Sequence, residues 1–157
     1  MNRTLVFKNR QRVRRVDTPL LRRITHWLLE ESLGVPDYEL CVHLVGAGEM
    51  ARVNKAFLQH EGSTDVITFD HLESARPHAL HGELFICLDD AVKQAKEFKT
   101  SWQSELTRYV IHGLLHLRGH DDLKPAARRA MKKDENRLLR EISREFSLSR
   151  LARLARQ

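Results

Sequence analysis

The segment 101–119 constrains the fold most, because it predicts one long helix with a defined start and end. Ser101 is a typical N-cap residue and Gly119 a typical helix terminator. Between them, apolar residues recur at helical spacing, at Trp102, Leu106, Tyr109, Val110 and Leu114. A helix with an apolar stripe is stable only against another layer of structure, so we expect the chain to pack around it.

Two histidines lie on one face of this predicted helix. His112 and His116 are four residues apart, so their imidazoles lie about one turn apart and both can reach a single ion. Gly119 lets the chain reverse and bring a third ligand over the pair. Asp122 has the better spacing for that ligand, and His120 is the alternative. Zinc sites with an open position for water use three protein ligands, so one zinc ion per chain is expected.

The remaining periodicity predicts about four strands and five helices around one sheet, which indicates an α+β or α/β protein. The expected strands are 3–8, 39–45, 66–69 and 82–88. The expected helices are 17–33, 49–58, 89–98, 101–118 and 124–146, and residues 71–81 are expected to form a loop. At 157 residues, with no linker rich in Pro or Gly, the chain is most economically one domain.

No apolar run approaches the roughly 20 residues that span a bilayer, and residues 1–15 lack the apolar centre of a signal peptide. A cytoplasmic protein with no membrane partner is therefore expected. Cys41 and Cys87 lie in apolar stretches and are interpreted as small buried thiols. The other histidines show no ligand spacing and are interpreted as structural: His26, His43, His60, His71, His78 and His81.

The net charge of +6 conceals an uneven distribution. Residues 1–23 hold eight Lys or Arg against one acid, and residues 124–157 hold eleven against four. The segment between them is acidic. An acidic centre suits cation binding and basic flanks suit a polyanion, while solvated helix faces are the alternative explanation.

The position after the first histidine separates two kinds of metal-dependent hydrolysis. Zinc peptidases with this histidine pair carry a Glu there as general base, whereas this chain has Gly113. A glycine cannot take a proton, so peptidase chemistry is disfavoured. A hydrolytic metal near basic surface points instead to phosphodiester cleavage. A metal-dependent amide hydrolase is a further alternative, which would need a carboxylate from elsewhere in the chain.

Residues 112–122, H-G-L-L-H-L-R-G-H-D-D, resemble the motif H-G-x-L-H-L-x-G-[YFH]-D-H of the YbeY family. That family comprises single-domain, metal-dependent endoribonucleases that act in ribosomal RNA maturation. The matching residues are His112, Gly113, Leu115, His116, Leu117, Gly119, His120 and Asp121. Three weaker family patterns lie upstream, at Asn54 and Phe57, at T-D-V-I-T-F over 64–69 and at G-E-L over 82–84. The resemblance covers roughly residues 5–140.

Two positions depart from the family pattern. Asp122 stands where the family has its third histidine, and aspartate is a legitimate but harder zinc ligand. Leu58 stands where the family has an arginine thought to contact RNA. Arg118, Lys132 and Lys133 are the candidates to bind the substrate in its place.

The resemblance implies a single mixed sheet packed by helices, with a zincin-like metal site at the end of a central helix. It implies a hydrolase domain at 1–147, followed by a basic amphipathic tail at 148–157. His112, His116 and Asp122 are then the metal ligands, and His116 also has the catalytic role. Capping or core roles are expected for Asp65 and Glu83, with positioning of a metal-bound water as the alternative.

The implied function is an endoribonuclease of ribosomal RNA maturation and ribosome quality control. The implied partners are ribosomal RNA and the small ribosomal subunit, with ribosomal proteins and assembly GTPases. The alternative is a non-catalytic ribosome assembly factor with a structural zinc, which would have a closed fourth coordination position.

Overall fold

The computed structural model describes residues 2–59, 62, 64–72, 79–120 and 122–153. Within these residues, four strands form one sheet in the order β1-β2-β4-β3. The strands are β1 (Arg3–Asn9), β2 (Asp37–Val45), β3 (Val66–Asp70) and β4 (Ala79–Cys87). Strands β1, β2 and β4 run parallel, and β3 pairs antiparallel with β4. The expected α+β class with a single mixed sheet is therefore confirmed.

Five α-helices accompany the sheet in the described part of the chain: α1 (Thr18–Trp27), α2 (Ala47–Val53), α3 (Leu88–Phe98), α4 (Trp102–Leu117) and α5 (Pro125–Glu145). Helices α1 and α2 each continue into one π-helical turn, Leu28–Ser32 and Asn54–Leu58. The side chain of Asp17 caps α1 by accepting from the Leu20 N–H, and Ser101 caps α4 by accepting from the Ser104 N–H. The expected number of helices is confirmed.

The prediction of a loop over residues 71–81 is wrong at the carboxyl end of that segment. Residues 79–81 belong to β4 and pair with β2 as far back as Asp37. Ala79 and Leu80 are buried, so their pairing is held by the core as well as by the ladder. The sequence pattern did not predict this part of the strand, because the polar His81 interrupts the apolar residues. Residues 73–78 lie outside the described residues.

The two faces of the sheet differ in what covers them. One face carries large buried residues such as Val42 and Leu84, and α1 and α4 pack on it to form the main core. The other face carries Cys41, His43 and Glu83. A second, smaller core under α2 covers only the carboxyl end of that face, around Met50. We call this second side, away from α4, the open face of the sheet.

The chain returns to the start of α1 after α5. Leu148–Leu151 forms one 3-10 turn, Leu151 is fully buried, and Val16 forms an isolated antiparallel bridge with Ala152. Residues 154–157 lie outside the described residues. No helix in the described ranges is long and apolar enough to cross a membrane.

Candidate metal centre

Helix α4 and the reversal that follows it bring three potential ligands together. Gly119 adopts φ of +99°, a backbone conformation that favours glycine, and this turns the chain back toward the helix. The Nε2 atom of His116 lies 3.1 Å from that of His112 and 3.4 Å from Oδ2 of Asp122. The Nε2 atom of His112 lies 3.9 Å from the same oxygen.

These distances fit one metal ion. Zinc lies about 2.0–2.2 Å from nitrogen and carboxylate ligands, so tetrahedral donors stand roughly 3.4 Å apart. In the described part of the chain, this is one of two groups of potential ligands whose donor atoms all lie within 4.8 Å of one another. Two imidazoles and one carboxylate form a donor set that suits a divalent transition metal.

Glu135 of α5 orients the first histidine of this group. Glu135 is buried, with a side-chain exposure of 11%, and its Oε1 lies 2.6 Å from Nδ1 of His112. A carboxylate accepts the Nδ1 proton, and this leaves the lone pair of Nε2 directed at the ion position. Burial alone would lower the pKa of His112, but the hydrogen bond and charge of Glu135, with Asp65 and Asp122, raise its pKa overall.

Gly113 is required by the packing of α4 on β4. A Cβ atom at this position would lie 2.7 Å from Cδ2 of Leu84, closer than real side chains approach. The residue therefore faces the sheet and has no room for a carboxylate. The absence of the peptidase-type Glu after the first histidine thus has a structural cause.

The other candidates around the centre each have further contacts. Nε2 of His120, the alternative third ligand, lies 3.9 Å from Oδ2 of Asp134 on α5. Asp65 accepts a hydrogen bond from its neighbour Val66 N–H at 2.8 Å, and it also lines the cavity that His112 lines. Glu83 lies on the open face, opposite α4, so it cannot position water at this centre. Asp121, which matches the family motif, lies outside the described residues.

A cavity of about 410 Å³ adjoins the centre. It is lined on the α4 side by Arg108, Tyr109 and His112, and on the α5 side by Lys132 and Glu135. The Tyr109 hydroxyl is buried and has no hydrogen-bond partner among the described residues, and burial raises its pKa well above the ordinary value.

Sequence reasoning missed Arg108, Tyr109 and Glu135 as site residues. The signal for the first two was helical spacing, since Arg108 and Tyr109 precede His112 by four and three residues on α4. Glu135 had no local signal, because it approaches His112 from another helix.

The three residues expected to bind substrate are spread over two surfaces. Lys132 lines the cavity beside His112, and Lys133 is its exposed neighbour on α5. Arg118 donates from Nη1 to the Leu33 carbonyl at 2.9 Å and lines a different cavity, of about 460 Å³. Leu58, at the position of the family arginine, is exposed.

The chain matches known proteins over most of its length. The model of the family "Endoribonuclease YbeY" matches residues 6–143. A protein named Endoribonuclease YbeY from Phocaeicola vulgatus is 42% identical over 124 residues, which cover 78% of this chain and 88% of the relative. One of the same name from Salinibacter ruber is 33% identical over 135 residues, covering 82% and 85%.

The fold also has a solved counterpart. A solution structure of a protein from Thermotoga maritima superimposes with a TM-score of 0.67 and covers 98% of this chain and 99% of its own. Its sequence identity is 23%, so it supports the fold alone. The family match and the two relatives carry the assignment: this chain belongs to the endoribonuclease YbeY family.

Proposed function

We propose that this chain is a metal-dependent endoribonuclease that acts on ribosomal RNA precursors through the centre of His112, His116 and Asp122. Membership of a family named for endoribonuclease activity supports the enzyme class. The observation that carries the proposal is the triangle of donor atoms, 3.1–3.9 Å on its sides, with Glu135 behind His112.

Zinc is the proposed ion, one per chain at this centre. A bound zinc ion supplies positive charge beside the scissile phosphate and makes a bound water more acidic. His112, His116 and Asp122 hold the ion, and Glu135 keeps His112 in the tautomer that ligates. His116 is essential to catalysis through this ligation. The group contains three donors from the described residues, which is the number typical of catalytic rather than structural zinc.

The cavity next to the ion is the proposed place for the RNA backbone. Lys132 and Arg108 line it and carry positive charge, which suits a phosphate. The unpartnered hydroxyl of Tyr109 is available to donate a hydrogen bond to a ligand or water in this cavity. Lys133 and Arg118 are proposed to contact phosphates farther along the strand.

The salt dependence of RNA binding tests this surface. Replacing Lys132 and Lys133 by Gln should weaken binding and flatten the plot of log affinity against log salt by about 1.4, since each phosphate contact to a single strand adds about 0.7. Arg137→Gln is the matched control, because Arg137 is on the same helix but already pairs with Asp134 and Glu141. An unchanged slope in the lysine variant would exclude this face of α5 as the RNA surface.

Further partners follow from the proposed substrate. We expect the small ribosomal subunit, its proteins and assembly GTPases as partners, because precursor RNA is processed while the subunit assembles. A cytoplasmic location is expected for the same reason.

Cleavage of precursor ribosomal RNA by metal-loaded protein tests the proposed function. His116→Ala is the test variant, and His81→Ala is the control, because His81 is a partly exposed histidine on the open face of the sheet. We expect cleavage by the wild type and by His81→Ala, and none by His116→Ala. Equal cleavage by all three would indicate a contaminating nuclease, and no cleavage by metal-loaded wild type would contradict the proposal.

A further inference from the structure

A second group of metal-type side chains lies on the open face of the sheet. Sγ of Cys41 lies 3.4 Å from Nε2 of His43, and that nitrogen lies 2.8 Å from Oε1 of Glu83. All three donor atoms lie within 4.8 Å of one another. A thiolate, an imidazole and a carboxylate around one zinc ion would stand about 3.5 Å apart, so the spacing fits a single ion.

Strand register produces this group. Cys41 and His43 are two residues apart on β2, so they share a face. Cys41 is the register partner of Glu83 on β4, and His43 is the partner of Phe85. The His43 ring stacks on Phe85 with centroids 4.1 Å apart and an angle of 4° between planes, which holds the imidazole in place.

His71 lies beside this group but outside the set of donor atoms that are all within 4.8 Å of one another. It follows β3 directly, and its Nε2 lies 3.0 Å from the second carboxylate oxygen of Glu83. A shallow cavity of about 350 Å³ opens beside Cys41, His71 and Glu83. Hydrogen bonds from His43 and then His71 hold the pKa of Glu83 below its ordinary value, so the carboxylate is ionised.

We propose that Cys41, His43 and Glu83 form a second zinc-binding site, on the open face of the sheet and independent of the proposed RNA cleavage. Thiolate, imidazole and carboxylate are all zinc ligands, and His71 would close the fourth position if its side chain turned from Glu83 to the ion. The soft sulfur donor favours zinc over magnesium or calcium. Such an ion would join β2 and β4.

Arg10 opposes metal uptake at this site. Its Nη2 lies 3.0 Å from Nδ1 of His43, and arginine can only donate, so Nδ1 must accept and the ring proton must be on Nε2. Zinc at Nε2 requires the other tautomer. Arg10 must then move away from His43, and it can do so while keeping its contacts of 2.6–3.1 Å with Glu49.

Zinc content per chain tests the proposal. Metal-stripped proteins are equilibrated with buffered Zn²⁺ and the bound metal is quantified. We expect two zinc ions per chain in the wild type and one in each of the double variants His112→Ala/His116→Ala and Cys41→Ser/Glu83→Gln. The Cys41→Ser/Glu83→Gln variant should still cleave RNA. One ion in the wild type and none in His112→Ala/His116→Ala would overturn the proposal.

Cobalt identifies which site is occupied. Only the second site contains sulfur, so Co²⁺ bound there should give a thiolate-to-cobalt charge-transfer band. We expect this band in His112→Ala/His116→Ala and its loss in the single variant Cys41→Ser, whose metal-free thermal unfolding shows whether the fold is kept. A band that survives Cys41→Ser, or no band in the wild type, would overturn the assignment.

Arg10 provides a test that does not remove a ligand. Arg10→Gln should tighten Zn²⁺ binding at this site by about 10-fold, because a donor no longer faces Nδ1 and the Gln carbonyl can accept its proton. Arg12→Gln is the matched control, because Arg12 is exposed and has no contact with this group. Equal or weaker binding by Arg10→Gln would overturn ligation through Nε2 of His43.

Discussion

The two groups of ligands differ most in what contacts Nδ1 of one histidine, the ring nitrogen that would not bind the metal. At the centre on α4, Nδ1 of His112 faces the buried carboxylate of Glu135 at 2.6 Å. On the open face, Nδ1 of His43 faces the guanidinium of Arg10 at 3.0 Å. The first contact leaves Nε2 free to ligate, and the second puts a proton on Nε2.

This difference shows that the spacing of ligand atoms is only part of a metal site. Both groups have donor atoms within 4.8 Å of one another. Glu135 already selects the tautomer of His112 that binds a metal, whereas His43 on the open face must change tautomer and displace an arginine. We therefore expect the centre on α4 to bind zinc more tightly.

Removing a ligand should have the largest effect. Asp122→Ala should weaken zinc binding at the α4 centre by about 100-fold or more, because one of three donors is lost and the others no longer hold the ion. His120→Ala, two residues earlier, should change it by less than about threefold. Competition with a chelator measures both, in a Cys41→Ser/Glu83→Gln background that leaves one site. Equal losses, or the reverse order, would contradict the choice of Asp122.

Removing the partner of Nδ1 should have an intermediate effect and opposite signs at the two sites. Glu135→Gln should weaken zinc binding on α4 by about 10–100-fold, as loss of an outer carboxylate typically does. Asp134→Asn is the control, because its carboxylate neighbours His120 instead. Arg10→Gln should strengthen binding on the open face. The comparison fails if Glu135→Gln leaves zinc affinity unchanged.

Filling the contact between α4 and β4 should destabilise the fold that supports the first centre. Gly113→Ala should lower the free energy of unfolding by about 1–3 kcal/mol, because the added methyl meets Leu84. Gly48→Ala should raise it by about 0.5–1 kcal/mol, since Gly48 is exposed within α2. Denaturant unfolding of the metal-free proteins measures both. A neutral Gly113→Ala would mean that α4 can shift without cost.

Replacing His26, a histidine with a nearby carboxylate but no second ligand, should have the smallest effect, which is on the pH dependence of stability. Nδ1 of His26 lies 2.6 Å from the Tyr38 hydroxyl, which in turn donates to Glu30. Burial, followed by the charge of Arg22, lowers the pKa of His26.

The sign for stability follows from this lowered pKa. The folded protein binds the His26 proton more weakly than the unfolded chain, so stability is fully present above pH 6.5 and declines as pH falls through the lowered pKa. His26→Gln should show a smaller decline in denaturant unfolding between about pH 7 and 5. A wild type and variant with the same pH dependence would contradict this.

Much of the α4 centre could be predicted because its signals are local. The pair His112 and His116 depends only on the helical repeat, and the reversal depends on Gly119, whose positive φ the structure contains. Most helices and strands were predictable for the same reason, because helix caps and hydrophobic periodicity can be read within each segment alone. The boundary of β4 was not, because residues 79–81 are strand only by pairing with β2.

The open face shows what sequence could not supply. Cys87 is fully buried as expected, but Cys41 is only half-buried, and His43 lies between Cys41 and Glu83. Nothing near residue 41 indicates Glu83, forty-two positions later, because their contact depends on the register between two parallel strands.

The sequence by itself determined which residues share a helix face, where helices begin and end, and the family to which the chain belongs. Only the tertiary structure decided which group contacts Nδ1 of each histidine, because Glu135 and Arg10 reach His112 and His43 from other elements. It also decided that Gly113 faces β4 and that Glu83 faces away from α4. Helix periodicity acts within a few residues, whereas these contacts depend on how separate helices and strands pack.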